Sequence, residues 1–271
     1  MSERNGYEHG VPCWVDTWRE DATATARFYG EILGWDLAGL EEDGAEKYVI
    51  GQLRGRDVAA IGSPKPPAAR GLPTAWTTYV WVDDADETAA RVEDAGGTVL
   101  AEPFDSLDGG RMTIVADREG ATIGAWHPGE HRGAELVNEP GAWAMSSLSS
   151  RDPEGAADFY GAVFGWETES FGPAVMFRLP GYVGGEPSQP VPRDVIATMM
   201  PLGNEVPADL QACWDVDFWV ADVEAVAKRT TELGGRVISQ PAEVPGVPMK
   251  EGVIADPDGA TLSVTQLLLP G

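Results

Sequence analysis

Histidine, cysteine and basic residues are all scarce in this sequence, and each scarcity removes a class of function. Three histidines and two cysteines in 271 residues cannot build a disulfide framework or a structural zinc cluster. Cys13 and Cys213 therefore read as free thiols of a reducing compartment. Nineteen Lys and Arg against 44 Asp and Glu leave a formal charge of −25, and such a field repels phosphate backbones and anionic headgroups. Nucleic acid is not an expected partner. No apolar run approaches the roughly 18 residues of a membrane span, and residues 1–10 lack the charged-then-apolar pattern of a cleaved leader. The expectation is a cytoplasmic chain with no membrane partner.

What the sequence has is a repeat. Phe28-Tyr29-Gly30-Glu31-Ile32-Leu33-Gly34-Trp35 returns as Phe159-Tyr160-Gly161-Ala162-Val163-Phe164-Gly165-Trp166. Trp81-Val82-Asp83-Asp84 returns as Trp219-Val220-Ala221-Asp222, Gly96-Gly97 as Gly234-Gly235, and Gly120-Ala121-Thr122 as Gly259-Ala260-Thr261. The offset grows from 131 residues (Phe28 to Phe159) to 138 (Trp81 to Trp219) and 139 (Gly120 to Gly259). The second copy thus carries about seven extra residues, placed by Gly and Pro content in 181–192. Two domains follow, 1–130 and 142–271, joined by a linker over 131–141 between Pro128-Gly129 and Pro140-Gly141. At about 130 residues, each is long enough to bury a core of its own.

Within each copy a smaller unit also occurs twice. Residues 11–19 alternate bulky and polar as a strand does, Asp21 is placed to cap a helix over 22–33, Gly34 closes it, and β-rich runs follow. The unit restarts with a strand at 77–82 and a helix at 85–95, and both units recur from 143 and 214. Four βαβββ modules paired into two α+β domains put helices on one face of a mixed sheet. The other face is free to curve into a ligand cleft, one open cleft to each domain.

This pattern resembles the vicinal oxygen chelate superfamily of glyoxalases, bleomycin resistance proteins and extradiol dioxygenases. The residues that carry it are Asp21, Ala26-Arg27-Phe28-Tyr29, Leu33-Gly34, Val82-Asp83-Asp84, Gly96-Gly97 and Asp117-Arg118-Glu119-Gly120-Ala121, with their second-copy matches. Cys13-Trp14-Val15-Asp16 and the linker Gly133-Ala134-Glu135-Leu136-Val137-Asn138-Glu139 look like two-domain actinobacterial glyoxalase-like proteins. The resemblance implies three metal ligands per site, usually two His and a Glu. Counted from the anchors, those places fall on Trp14, Thr77 and Gly124 in the first domain and on Met145, Asp215 and Ser263 in the second. A lone Asp215 holds a divalent ion poorly, so no metal and no cofactor is expected. His9, His127 and His131 lie at the N-terminus and around the linker.

Strand alternation puts Trp14, Asp16 and Trp18 on one side of the first strand, and Thr77, Tyr79 and Trp81 on the side facing them. An aromatic trough with one carboxylate suits a flat, partly apolar ligand, and Arg111 would add a cation from a neighbouring strand. Two readings stay open here. The tryptophans pack a core or stack on a ligand; Asp16 is a structural carboxylate bonded to Arg111 or backbone, or an acid–base group. In the second domain Met145 and Ser147 face Asp215, Asp217 and Trp219, with Ser263 and Thr265 on the last strand. Two carboxylates two residues apart raise each other's pKa in a dry cleft and serve acid–base chemistry; on a solvated edge they do neither. Cys213 has no neighbouring His to activate it.

The expected function is metal-independent binding of an aromatic or polyketide-like small molecule, centred on the first cleft and serving antibiotic resistance, sequestration or secondary metabolism. The alternative is an isomerase, cyclase, lyase or hydroxylase-like enzyme using Asp16, Asp215 and Asp217. A metal-dependent lyase or dioxygenase comes third. The partner is a small molecule, and the chain is a monomer or homodimer.

Overall fold

The computed structural model describes residues 3–40, 47–64, 75–106, 109–184, 192–203, 206 and 210–268. The first module is β1 (Pro12–Trp18), α1 (Ala22–Leu33), β2 (Asp36–Ala38), β3 (Lys47–Leu53) and β4 (Arg56–Ser63). The second is β5 (Trp76–Trp81), α2 (Ala85–Asp94), β6 (Thr98–Asp105), β7 (Arg111–Ala116) and β8 (Thr122–His127). The third is β9 (Trp143–Ser150), α3 (Pro153–Phe164), β10 (Glu167–Phe171), β11 (Ala174–Arg178) and β12 (Val195–Pro201). The fourth is β13 (Cys213–Trp219), α4 (Val223–Glu232), β14 (Arg236–Glu243), β15 (Met249–Ala255) and β16 (Thr261–Leu267). Among the described residues, helices α1 to α4 each start at an aspartate, Asp21, Asp84, Asp152 or Asp222, whose carboxylate accepts a hydrogen bond from a first-turn amide.

Each domain is one eight-stranded mixed sheet, in the order β2-β3-β4-β1-β5-β8-β7-β6 and, in parallel fashion, β10-β11-β12-β9-β13-β16-β15-β14. The four modules and two α+β domains read from the repeat are the architecture found. Residues 179–194 join β11 to β12 where Arg54-Gly55 alone joins β3 to β4; of the stretch expected to hold the extra residues, 185–191 lie outside the described residues.

Each half is long enough for a core of its own, but the buried clusters of the two halves are continuous. Helix α1 lies mainly on β2 to β4 and α2 on β6 to β8, and α1 reaches central strand β5 through Tyr29, whose hydroxyl accepts a hydrogen bond from Trp76 Nε1 at 3.1 Å. The other domain packs against the central strands as well. Helix α1 packs against α4, α2 against α3, and β5 against β13. One buried cluster joins Val15, Trp35 and Trp76 to Phe218, Val223 and Ile254, and a second joins Val80, Val92 and Ile123 to Phe159, Tyr160 and Trp214.

The repeated motifs are the grips of this interface. Tyr29 donates its hydroxyl to Asp256 at 2.9 Å and Tyr160 donates to Asp117 at 2.9 Å. Trp35 Nε1 donates to the Gly141 carbonyl at 2.7 Å and Trp166 Nε1 to the Gly10 carbonyl at 2.6 Å. Gly10 and Gly141 have positive φ, 83° and 89° respectively, and a Cβ would stand 2.7 Å from the Phe164 carbonyl oxygen at Gly10 and 2.5 Å from that of Leu33 at Gly141. The symmetry breaks at one point. Arg19 forms a fully buried ion pair with Asp256 at 2.9 Å, where the second copy has Ser150.

Candidate functional site

With helices and the partner domain on one side, each sheet presents its other, outer face. On the first sheet, strand pairing sets Trp14 beside Tyr79, Asp16 beside Thr77, Tyr79 beside Gly124 and Trp81 beside Trp126. These rings fill the face themselves. Trp14, Asp16 and Tyr79 are each 3% exposed. The Trp18 ring lies on Gly62 and the Tyr79 ring on Gly124, where a Cβ would come within 2.4 Å and 2.2 Å of ring atoms. Part of the linker crosses as a strap: His131 meets the Trp14 ring edge-on at 4.4 Å, and the Ala134 amide donates to the Cys13 carbonyl at 2.8 Å. The first cleft is therefore closed over Trp14, Asp16, Tyr79 and Trp81, while Trp18 and Thr77 stay half-buried, because side-chain-free glycines let large apolar rings fold flat and leave water.

Asp16 is sealed beneath them. Its carboxylate accepts hydrogen bonds from Trp18 Nε1 at 3.1 Å and from the Tyr48 and Tyr79 hydroxyls at 3.0 Å each. Burial outweighs these donors and raises its pKa to about 7. Arg111 is not among its partners, and its expected place in the cleft is corrected. Met112 pairs with Trp126 on the outer face, so Arg111, one residue out of phase, turns to the helical side and bonds Asp86 at 2.6 Å and Asp105 at 3.0 Å.

The second outer face is built from smaller residues. By the repeat offsets, Ser149 stands for Trp18, Asp217 for Tyr79, Ser263 for Gly124 and Thr265 for Trp126. Met145, Ser147, Asp215, Asp217, Trp219 and Ser263 are all half-buried. Asp217 lies beside both Met145 and Ser263, whereas Asp215 lies one pleat along, beside Ser147. Thr265 donates its hydroxyl to Asp217 at 2.8 Å. Burial first, and then the charge of Glu251, raise the Asp217 carboxyl to about 7.

Glu251 was not read from the sequence. It pairs with Thr265 from β15, accepts a hydrogen bond from Ser263, and is itself raised by burial and by Asp215. Its alternation with Val253 was the available signal, since Val253 pairs with Ser263 on the same face. Asp215 is raised by burial. Burial and the Asp215 charge push the Cys213 thiol up to about 12, which keeps it protonated and a poor nucleophile at neutral pH.

The divalent metal implied by the resemblance does not fit these residues. Trp14 and Gly124 offer no ligand atom beside Thr77, and Met145 and Ser263 leave Asp215 alone. Asp16 is already engaged by three donors. Among the described residues, no group of three or more His, Cys, Asp and Glu side chains is placed to hold an ion.

Paired βαβββ modules, each pair forming one mixed sheet with helices on one face, define a class of tandem α+β scaffold. The chain belongs to the Glyoxalase/Bleomycin resistance protein/Dioxygenase superfamily, whose model matches residues 14–124, and residues 144–265 match the Glyoxalase-like domain. The Mycobacterium bovis protein named glyoxylase CFP32 is 35% identical over 268 residues, 97% of each chain. The anthracycline biosynthesis protein DnrV of Streptomyces peucetius is 33% identical over 269 residues, 95% of this chain and 94% of that one. Among solved structures, the Mn(II)-bound glyoxalase from Novosphingobium aromaticivorans has a TM-score of 0.63 at 16% identity, covering 96% of this chain and 83% of that one. A catechol 2,3-dioxygenase has a TM-score of 0.59 at 11% identity, covering 96% and 88%. At such identities the likeness is one of fold.

Proposed function

We propose that the chain is a metal-independent binding protein for a small aromatic, polyketide-like molecule, and that the ligand lies on the second outer face. The observation that carries this reading is the contrast between the two sheets: the first face is filled by its own rings, and the second leaves Met145, Asp215, Asp217 and Trp219 half-buried. Half-buried carboxyls and hydroxyls beside Met145 and Trp219 give a flat ligand both apolar contact and orienting hydrogen bonds. The relative named for anthracycline biosynthesis supports an aromatic ligand class and a place in secondary metabolism.

A second reading, acid–base catalysis on the same ligand, is favoured by one fact. Asp217, near pH 7 in its titration, holds and releases a proton at neutral pH, as a general acid–base group must. Asp217→Asn separates the two. In a binder it changes affinity by roughly 1.5 to 3 kcal/mol and there is no turnover to lose; in an enzyme it leaves affinity nearly intact while turnover falls by about 10² to 10⁴. Titrating aromatic polyketides against both proteins by tryptophan fluorescence, with product analysis, decides; if neither affinity nor rate responds, the second face is not the site.

A further inference from the structure

Arg4, Tyr7, Glu8, Arg132 and Tyr182 surround a surface cavity of about 380 Å³, within the usual size of a small-molecule site. Through Arg4, Tyr7 and Tyr182 it continues into a narrower cleft that runs to Ala144 and Met145. Met145 is the residue paired with Asp217. The repeat explains why there is space here. One copy earlier, Cys13 and Trp14 hold the places of Ala144 and Met145, and the strap covers them with Ala134 and His131. In the second copy the corresponding places line the cleft.

The charge of the groove is as distinctive as its position. The Asn5 carbonyl accepts from Arg132 Nε at 3.2 Å and the Trp81 ring lies 5.8 Å beneath the guanidinium, contacts that orient the group without cancelling its charge. Arg4 donates to the Gly184 carbonyl on the opposite side. Burial raises the Tyr7 and Tyr182 phenols above their ordinary range, so both stay neutral. Glu8 lines the same cavity, is exposed to solvent, and its charge adds to the rise at Tyr182. In a chain of charge −25, an anion is repelled by most of the surface, and the Arg132 guanidinium is what would admit one here.

We propose that this groove holds the acidic group, a carboxylate or phenolate, of the ligand whose body lies on the second outer face. The inference rests on the reading of that face given above. The probe is 1-naphthoate, with 1-naphthylmethanol as the neutral control, measured by equilibrium dialysis against the full chain. Arg132 is exposed, so Arg132→Gln leaves the core intact. It should weaken 1-naphthoate about tenfold and leave 1-naphthylmethanol unchanged, and wild-type affinity for the acid should fall with added salt. Equal binding of 1-naphthoate to wild type and variant, a wild-type preference for the neutral probe, or no binding of the acid at millimolar concentration overturns the proposal. Asp217→Asn tells its failure from that of the face. If that change alters 1-naphthylmethanol binding while Arg132→Gln does nothing to 1-naphthoate, the face stands and the groove falls. If only Arg132→Gln has an effect, the groove takes an anion and the reading of the face falls.

Discussion

Asp16 and Asp217 are both raised to about 7 by burial, yet one is sealed under three donors and the other lies half-open beside a single threonine. For the sealed residue the consequence is one of stability. An unfolded aspartate titrates near 3.9, so the folded value is the higher one. The proton that Asp16 holds therefore stabilises the fold fully below about pH 4, and this contribution is lost as the pH rises through about 7. Asp16→Asn keeps the shape and removes the charge. Urea unfolding at several pH values between 4 and 8 should show the wild type losing roughly 2 to 4 kcal/mol relative to the variant over that range. Parallel stability curves would mean that Asp16 is not buried as described; Asp217 titrates in both proteins and cancels from the difference.

At the scale of elements, the strap is what distinguishes the two sheets beyond their side chains. It is held by backbone bonds from Ala134 to Cys13 at 2.8 Å and from Glu135 to Asp57 at 2.7 Å, and by the Tyr7 hydroxyl on the Ala134 carbonyl at 2.7 Å. Tyr7→Phe removes the last of these, worth about 0.5 to 1.5 kcal/mol. Amide exchange at Ala134 should then quicken severalfold, with little change at buried β5 amides, because the strap opens locally while the sheet does not. Hydrogen-exchange mass spectrometry of the linker peptide reads this directly, and an unchanged rate there would show that the tyrosine does not anchor the strap.

The whole molecule is tied together by cores that neither domain completes alone. Buried residues of α1, β1 and β5 continue into Phe218, Val223 and Ile254 of the other domain, and Arg19 crosses the interface to Asp256. Calorimetry should give one cooperative transition for the chain. Arg19→Met leaves a buried carboxylate without its cation and should cost about 3 to 5 kcal/mol, moving that single transition down without splitting it. Two resolved transitions in the wild type would contradict the shared core.

Sequence alone determined the order of modules, because strand alternation, aspartate caps and helix-closing glycines are local and recur in step with the repeat. Periodicity also assigned Trp14, Asp16, Trp18, Thr77, Tyr79 and Trp81 to one face, since a strand's side chains alternate whatever they meet. Whether that face was open was beyond such reasoning. The Tyr79 ring lies on Gly124 from a different strand, and His131 reaches Trp14 from the linker, contacts that exist only once the sheet is paired and the strap laid down. Arg111 was misplaced for a related reason: which phase of β7 faces outward depends on its pairing with β8, and charge content carries no phase. Glu251 joined Asp217 only through β15 and β16. The repeat motifs are legible in the sequence, but their work in gripping the opposite domain was decided by tertiary structure, because Tyr29 and Tyr160 meet Asp256 and Asp117 only once the two domains are docked.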